Sequence, residues 1–311
     1  MGFDVIAKQI AMLAVIMLLG FIGVKTKYLN ADLKDSVSKL VLRVTLPLLN
    51  LTAITGQTLR PDMLKNAGIV IVVELCFVAL LFGIGLLGAK LFRLPPATRA
   101  IHSCMSAFGN VIFLGYPLIT ALYGQEGLFY AIVYALVNDG IVWTVGLLFI
   151  AGTGEGKAHA GLSKLLNPNT IAFAVSLIML LFGLRLPPIL HETLASVGSM
   201  TTCLSMLFIG MTLATIPLQG IYKRWSVYVI ILFKMILIPM LLTLLLSRFP
   251  LDTVLLGVLL LEAAMPGQTV LTIIANEFGA DYQYAAECVF ITTVFSLITL
   301  PGLYWFMLHF I

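Results

Sequence analysis

Two amides stand beside glycine inside apolar runs: Asn110, which follows Gly109, and Gln268, which follows Pro266 and Gly267. Gly109-Asn110 and Gly115-Tyr116-Pro117 interrupt the run 100–122, and Met265-Pro266-Gly267-Gln268 interrupts the run 252–276. Hydrocarbon offers a backbone N–H or C=O no partner, so an interrupted helix survives only within protein or along a cavity. Each interruption starts a new helical segment whose first N–H groups are free and partly positive. Two such ends brought together suit a carboxylate. The amides can donate and accept, and the glycines let a ligand approach the main chain. Gly109, Asn110, Pro266, Gly267 and Gln268 are therefore candidate binding residues for a small organic anion. A packing kink explains either break alone; a matched pair in the two halves of a chain points to a transporter's binding site.

Ionisable residues within apolar segments include Glu74, Asp139, Lys234, Glu262 and Glu287. Each costs about 3 kcal/mol at membrane depth, which makes it a functional candidate. Glu262 precedes Pro266 by one helical turn and should face the second break. Its carboxylate could bind Na⁺ through oxygen, or carry a proton if burial favours the neutral form. Asp139 and Glu287 are further coupling-ion candidates. Glu74 and Lys234, in the third and eighth apolar segments, read as a structural ion pair. Arg43 is expected to snorkel to the membrane surface, with contact to an anionic substrate as the alternative. His102, near a helix start, reads as an interfacial residue. His159, His191 and His309 suggest no metal site, and no organic cofactor is implied; the one metal considered is Na⁺ near Glu262.

These residues need elements to position them. The chain of 311 residues is 60% hydrophobic and 10% charged, against about 25% charged in soluble domains. Ten runs reach the roughly 20 residues a membrane helix needs: 5–24, 36–56, 67–92, 100–122, 127–151, 168–184, 194–215, 225–247, 252–276 and 283–309. The first lacks a small-residue cleavage site after a short apolar core and reads as a retained helix. The longest polar interval, 152–167, divides the chain into halves 1–156 and 157–311 with five helices each. Five is odd, so the second half enters the membrane from the opposite side, and a repeat would be inverted. Tyr123-Gly124-Gln125-Glu126 and Phe278-Gly279-Ala280-Asp281 match in order, as do Leu49-Asn50-Leu51-Thr52 and Ile209-Gly210-Met211-Thr212. The expected fold is an all-α integral membrane protein of ten transmembrane helices in two inverted five-helix repeats.

Charge sets the orientation. Of 18 Lys and Arg, eleven fall in the odd-numbered connections: Lys25, Lys27, Lys34, Lys39, Lys90, Arg93, Arg99, Lys157, Lys164, Lys223 and Arg224. The other side holds Lys8, Arg60, Lys65, Arg185 and Arg248. Basic loops face the cytoplasm, so both termini should lie outside a cell (inner) membrane. The net charge of +4 is spread over these loops and does not imply nucleic-acid binding. Cys76, Cys104, Cys203 and Cys288 lie in apolar runs without metal or redox spacing and read as packing residues. No Walker loop, His-Glu-x-x-His or Gly-x-Ser-x-Gly occurs, which argues against ATP-driven transport and against an enzyme.

Leu46-Pro47-Leu48-Leu49, Gly109-Asn110 through Gly115-Tyr116-Pro117-Leu118, Asn167-Pro168-Asn169-Thr170 and Ala264-Met265-Pro266-Gly267 resemble the auxin efflux carrier family in order along the chain. That family includes the plant auxin carriers and bacterial carriers of malonate- and malate-like acids. The resemblance implies that helices 4 and 9 cross at the site, as in bile-acid and sodium–proton carriers. It also implies a scaffold of helices 1, 2, 6 and 7, a transport core of helices 3–5 and 8–10, and a homodimer in the lipid bilayer. The chain departs from the plant carriers in its short central loop, and in reading Pro266-Gly267-Gln268 where they have Pro-Gln-Gly. The resulting expectation is a secondary transporter of a small carboxylate, with Asn50 touching the substrate from helix 2 and Na⁺ or H⁺ as coupling ion. A non-transporting sensor or channel of the same fold is the alternative. Sequence leaves the acid, the direction of transport and the coupling ion open.

Overall fold

Proline sets where several helices begin. Pro61, Pro96, Pro168 and Pro188 each open a helix, where a missing N–H costs nothing and the fixed φ is already helical. The computed structural model describes residues 3–58, 61–153, 168–216 and 224–310. Arg60, Lys157, His159, Lys164, Asn167 and Lys223 lie outside the described residues.

The described residues form helices and no strand: α1 (Phe3–Lys25), α2 (Leu33–Leu40), α3 (Leu46–Thr55), α4 (Pro61–Leu91), α5 (Pro96–Ala107), α6 (Tyr116–Ile141), α7 (Leu147–Ala151), α8 (Pro168–Leu181), α9 (Pro188–Thr215), α10 (Trp225–Ile230), α11 (Ile238–Leu246), α12 (Thr253–Ala263), α13 (Val270–Glu277) and α14 (Tyr282–Phe310). Wider, π-helical turns occupy Val41–Thr45, Val111–Gly115, Val142–Gly146 and Ile231–Leu237. Three of them run directly into Leu46-Pro47, Tyr116-Pro117 and Ile238-Pro239. A proline ring strikes the carbonyl four residues back and cannot donate to it; widening the turn by one residue removes the conflict.

Among the described residues six stretches are long and apolar enough to cross a membrane: Leu33–Thr55, Pro61–Leu91, Val111–Ala151, Pro188–Thr215, Trp225–Leu246 and Tyr282–His309. Shorter apolar helices cover Ala11–Lys25, Pro168–Leu181 and Thr253–Ala263. The protein is an all-helical, multi-pass membrane protein. The fourth and fifth sequence segments share one stretch because α6 continues through a bend at Gly124 (φ 61°, ψ −149°). Gly279, its partner in the short sequence match, also has positive φ (66°). Both turns need a residue without Cβ.

The chain forms two compact units. Unit 1 comprises Met1–Gly68, Ile112–Val133 and Leu162–Thr215; within it α1 packs on α9, and α3 on α8 and α9. Thr201 Oγ1 donates to Thr45 Oγ1 at 2.9 Å, and His191 Nε2 lies 3.2 Å from the Thr52 carbonyl. Unit 2 comprises Ile69–Val111, Tyr134–Gly161 and Ile216–Ile311. Its core is apolar: Phe77 and Leu81 of α4, Ile101 and Cys104 of α5, Met235, Leu271 and Val289 are all buried together. Large apolar side chains remain exposed on the helices, among them Leu19, Leu87, Ile178, Leu241 and Ile298. A lipid bilayer, rather than water, suits such a surface.

Candidate functional site

The two interruptions meet inside unit 2. α5 stops at Ala107 because Phe108 turns extended (φ −97°, ψ 130°). Gly109 and Gly267 then lie antiparallel as an isolated bridge, and the Asn110 N–H donates to the Pro266 carbonyl at 2.8 Å. The Gly267 N–H finds Thr292 Oγ1 at 3.0 Å. Backbone groups released by one break are thus taken up by the other break and by α14, as burial in an apolar setting demands. A new helical segment begins immediately beyond each break, at Val111 and at Val270.

The amides are buried and bonded. Asn110 Nδ2 donates to Thr269 Oγ1 at 3.2 Å, and Gln268 Nε2 donates to Asp139 Oδ1 at 2.9 Å. Each amide nitrogen has a second hydrogen, and Gln268 Oε1 has no partner. Thr269 and Thr292 escaped the sequence reading. A threonine in an apolar helix ordinarily bonds its own main chain, as Thr292 Oγ1 also does to Cys288 O at 2.6 Å. Nothing local marks it as a break-holding residue.

A cluster of ionisable groups lies beside the breaks. Glu262 ends α12 with its side chain 1% exposed, and neither carboxylate oxygen has a hydrogen-bond partner. Glu74 of α4 is fully buried; Oε1 accepts from Asn138 Nδ2 at 2.8 Å, and the Tyr134 hydroxyl lies within hydrogen-bonding reach of the carboxyl group. Glu74 and Glu262 lie within electrostatic reach of each other and of the Tyr134 hydroxyl.

The structure corrects the expected Glu74–Lys234 pair, since no salt bridge joins them. Lys234 Nζ instead donates to the carbonyl of Met105 at 3.1 Å and to that of Phe108. The physical reason is the break itself. A helix ending at mid-depth leaves its last carbonyls without partners and with negative partial charge, and a buried ammonium satisfies both needs. Glu287 is held by Arg224, with Nε–Oε2 at 2.5 Å, and by Gln283 Nε2 at 3.0 Å. Asp139 is partly buried and takes the Gln268 amide. His102 is also corrected: it is 1% exposed rather than interfacial, and Nδ1 lies 2.8 Å from the Tyr284 hydroxyl. Arg43 is exposed in unit 1. Asn50 belongs to unit 1 as well; it is buried on α3, with Oδ1 lacking a hydrogen-bond partner. Among the described residues no group of three or more His, Cys, Asp and Glu is arranged to hold a metal ion. All four cysteines are free.

Comparison with known proteins places the chain. The profile of the family described as membrane transport protein matches residues 5–160 and 157–304. An uncharacterized transporter of Methanocaldococcus jannaschii is 26% identical over 95% of this chain and 96% of its own length. The uncharacterized transporter YfdV of Escherichia coli K12 is 24% identical, covering 92% of this chain and 93% of its own. A Rhizobium meliloti protein named as a candidate malonate transporter is 27% identical over 72% of this chain and 71% of its own. The matched stretches cover nearly the whole sequence, and the chain therefore belongs to the membrane transport protein family, the auxin efflux carriers, and is a membrane transporter rather than an enzyme.

Proposed function

We propose that the protein is a secondary transporter that carries a small organic carboxylate by alternating access, with the carboxylate bound where the two interruptions meet. The observation that carries this reading is the bridge between Gly109 and Gly267, with the amides of Asn110 and Gln268 buried beside it and a helical segment beginning at each side. The positive end of the dipole at each helix start favours an anion. The relative named for malonate transport supports a carboxylate of that size. The paired positive-φ glycines, Gly124 and Gly279, support two inverted repeats totalling ten helices. Unit 1 gathers α1 to α3, α8, α9 and also Ile112–Val133, and unit 2 gathers most of α4 with α5, α7 and α10 to α14; apart from Ile112–Val133, this grouping agrees with a scaffold and a moving core. Glu262 and Asp139 are the leading coupling-ion candidates, with Na⁺ or H⁺ as the ion. The functional unit would be a homodimer in the inner membrane. A sensor or channel of the same fold would bind without sustaining uphill transport.

Two experiments test this reading. Asn110→Ala should weaken malonate binding by about 1.5–3 kcal/mol, the usual worth of a hydrogen bond to a charged group, which is roughly tenfold to a hundredfold in affinity. Thermal shift of the purified protein, followed by uptake into proteoliposomes, measures it. Unchanged affinity in a folded variant would move the site elsewhere. For orientation, a cysteine placed at Gln125 in a cysteine-free background should react with an impermeant maleimide added outside intact cells. Labelling only after the inner face is opened would reverse the topology.

A further inference from the structure

Unit 2 contains a polar chain that the substrate site does not use. Tyr284 of α14 has its hydroxyl 2.8 Å from Ser226 Oγ on α10 and 2.8 Å from His102 Nδ1 on α5. All three side chains are buried. On the far side of the ring, His102 shares a cavity with Ser106 and Lys234, walled by Leu81, Ile84 and Phe233. The cavity has room for about one water, and two or more polar groups face it, which is what a buried water requires. At the other end, Arg224 precedes α10 with its side chain 40% exposed and its guanidinium 5.8 Å above the Tyr284 ring. The hydrogen-bonded chain thus runs from Ser226, two residues after the partly exposed Arg224, to His102, which shares the cavity with Lys234.

The geometry points to a proton route: the protein exchanges a proton between its surface and Lys234 through Ser226, Tyr284, His102 and the cavity, and this proton moves with the anion in addition to any ion held at Glu262. The step balances without any other reactant. A proton arriving at Ser226 Oγ displaces the hydroxyl hydrogen to Tyr284, whose own hydrogen passes to His102 Nδ1. The doubly protonated ring releases its Nε2 hydrogen to the cavity, and the neutral Lys234 amine takes it up. Both hydroxyls and the neutral ring are regenerated, with the ring in its other tautomer. Reorientation of the hydroxyls and tautomer exchange reset the chain.

The groups facing this route are few. Tyr284 from α14, Ser226 from α10 and Gly88 from α4 surround His102. Beyond Tyr284, Asp281 is bound to Thr98 and Glu287 to Arg224. Glu74 from α4 and Cys288 from α14 are within electrostatic reach of Lys234. The endpoint explains why a proton there matters. Lys234 holds the carbonyls of Met105 and Phe108, and Phe108 lies two residues before Asn110. Charging Lys234 tightens that end of the break and adds positive charge near an anion site, so anion and proton should move together. Only this coupling role rests on the carboxylate reading; the route itself does not.

A pH jump without substrate tests the route. Purified protein is taken from about pH 11 to about pH 5, a span that includes the ordinary lysine value of about 10.4 and lower values, with a soluble pH dye in a stopped-flow cell. Proton uptake dependent on Lys234 is the difference from Lys234→Gln, which keeps two donors for the two carbonyls. That uptake should slow at least about tenfold in Tyr284→Phe and in His102→Gln, a typical loss for a displaced proton-transfer group, with its final amplitude unchanged. Tyr284→Phe removes one oxygen and carries the test if the histidine variant does not fold. A wild-type rate in Tyr284→Phe, or no Lys234-dependent uptake, overturns the route. Lost amplitude at unchanged rate would make Tyr284 a structural support for Lys234 and would equally overturn it. Malonate thermal shift, measured separately, reports on the carboxylate reading alone.

Discussion

Glu262→Met should melt at a higher temperature than the wild type while losing ion-dependent transport. Glu262 is 1% exposed and both its carboxylate oxygens lack a hydrogen-bond partner. A buried carboxyl group without partners costs several kcal/mol relative to an apolar side chain of similar volume. Glu74 lies within electrostatic reach, so a second buried carboxylate adds to that cost. Buried ionisable residues in a membrane protein are functional candidates by default. Thermal melts of both proteins in one detergent, with uptake measured over Na⁺ and pH series, provide the check. A lower melting temperature would mean that Glu262 supports the fold, and retained ion-dependent transport would remove it from the coupling machinery.

Gly210→Val should leave little folded protein. A Cβ at Gly210 would sit 1.8 Å from the Met17 carbonyl oxygen, 2.8 Å from the Met17 carbonyl carbon and 2.9 Å from the Phe21 nitrogen. These are main-chain atoms of α1, so no rotamer change relieves the overlap, and α1 must separate from α9. Close approach through a small residue is how membrane helices gain packing energy, since lipid is as apolar as leucine. The control is Gly302→Val, where an added Cβ meets nothing within 4 Å. Fluorescence-detected size exclusion of both variants decides it. A monodisperse Gly210→Val peak at wild-type yield would show that the α1–α9 crossing can loosen freely.

The helical, membrane-embedded class was legible because its cause is local. Apolar runs, proline at helix starts and glycine at Gly124 and Gly279 all act on the residues nearest them. The interruptions at Gly109-Asn110 and Pro266-Gly267 were visible for the same reason. Their meeting was not, because the Asn110–Pro266 hydrogen bond joins residues far apart in the chain. Lys234 shows the limit most clearly. Sequence offered it Glu74, the one opposite charge at a matching place in the other half. The structure gives it the Met105 and Phe108 carbonyls instead, and those acceptors exist only because α5 ends in the interior. His102 was misplaced likewise: its position near a helix start suggested the interface, whereas α14 and α10 cover it with Tyr284 and Ser226.

Composition and short motifs were enough to identify a membrane transporter of this family, with two breaks, an amide beside each, and ionisable residues inside apolar runs. Those follow from composition and short spacing, which need no partner in space. Only the tertiary structure decided which groups satisfy one another: Thr269 with Asn110, Asp139 with Gln268, Asn138 with Glu74, and Arg224 with Glu287. In a medium without water every polar group must find its partner within the protein, and those partners are assigned by how the helices pack.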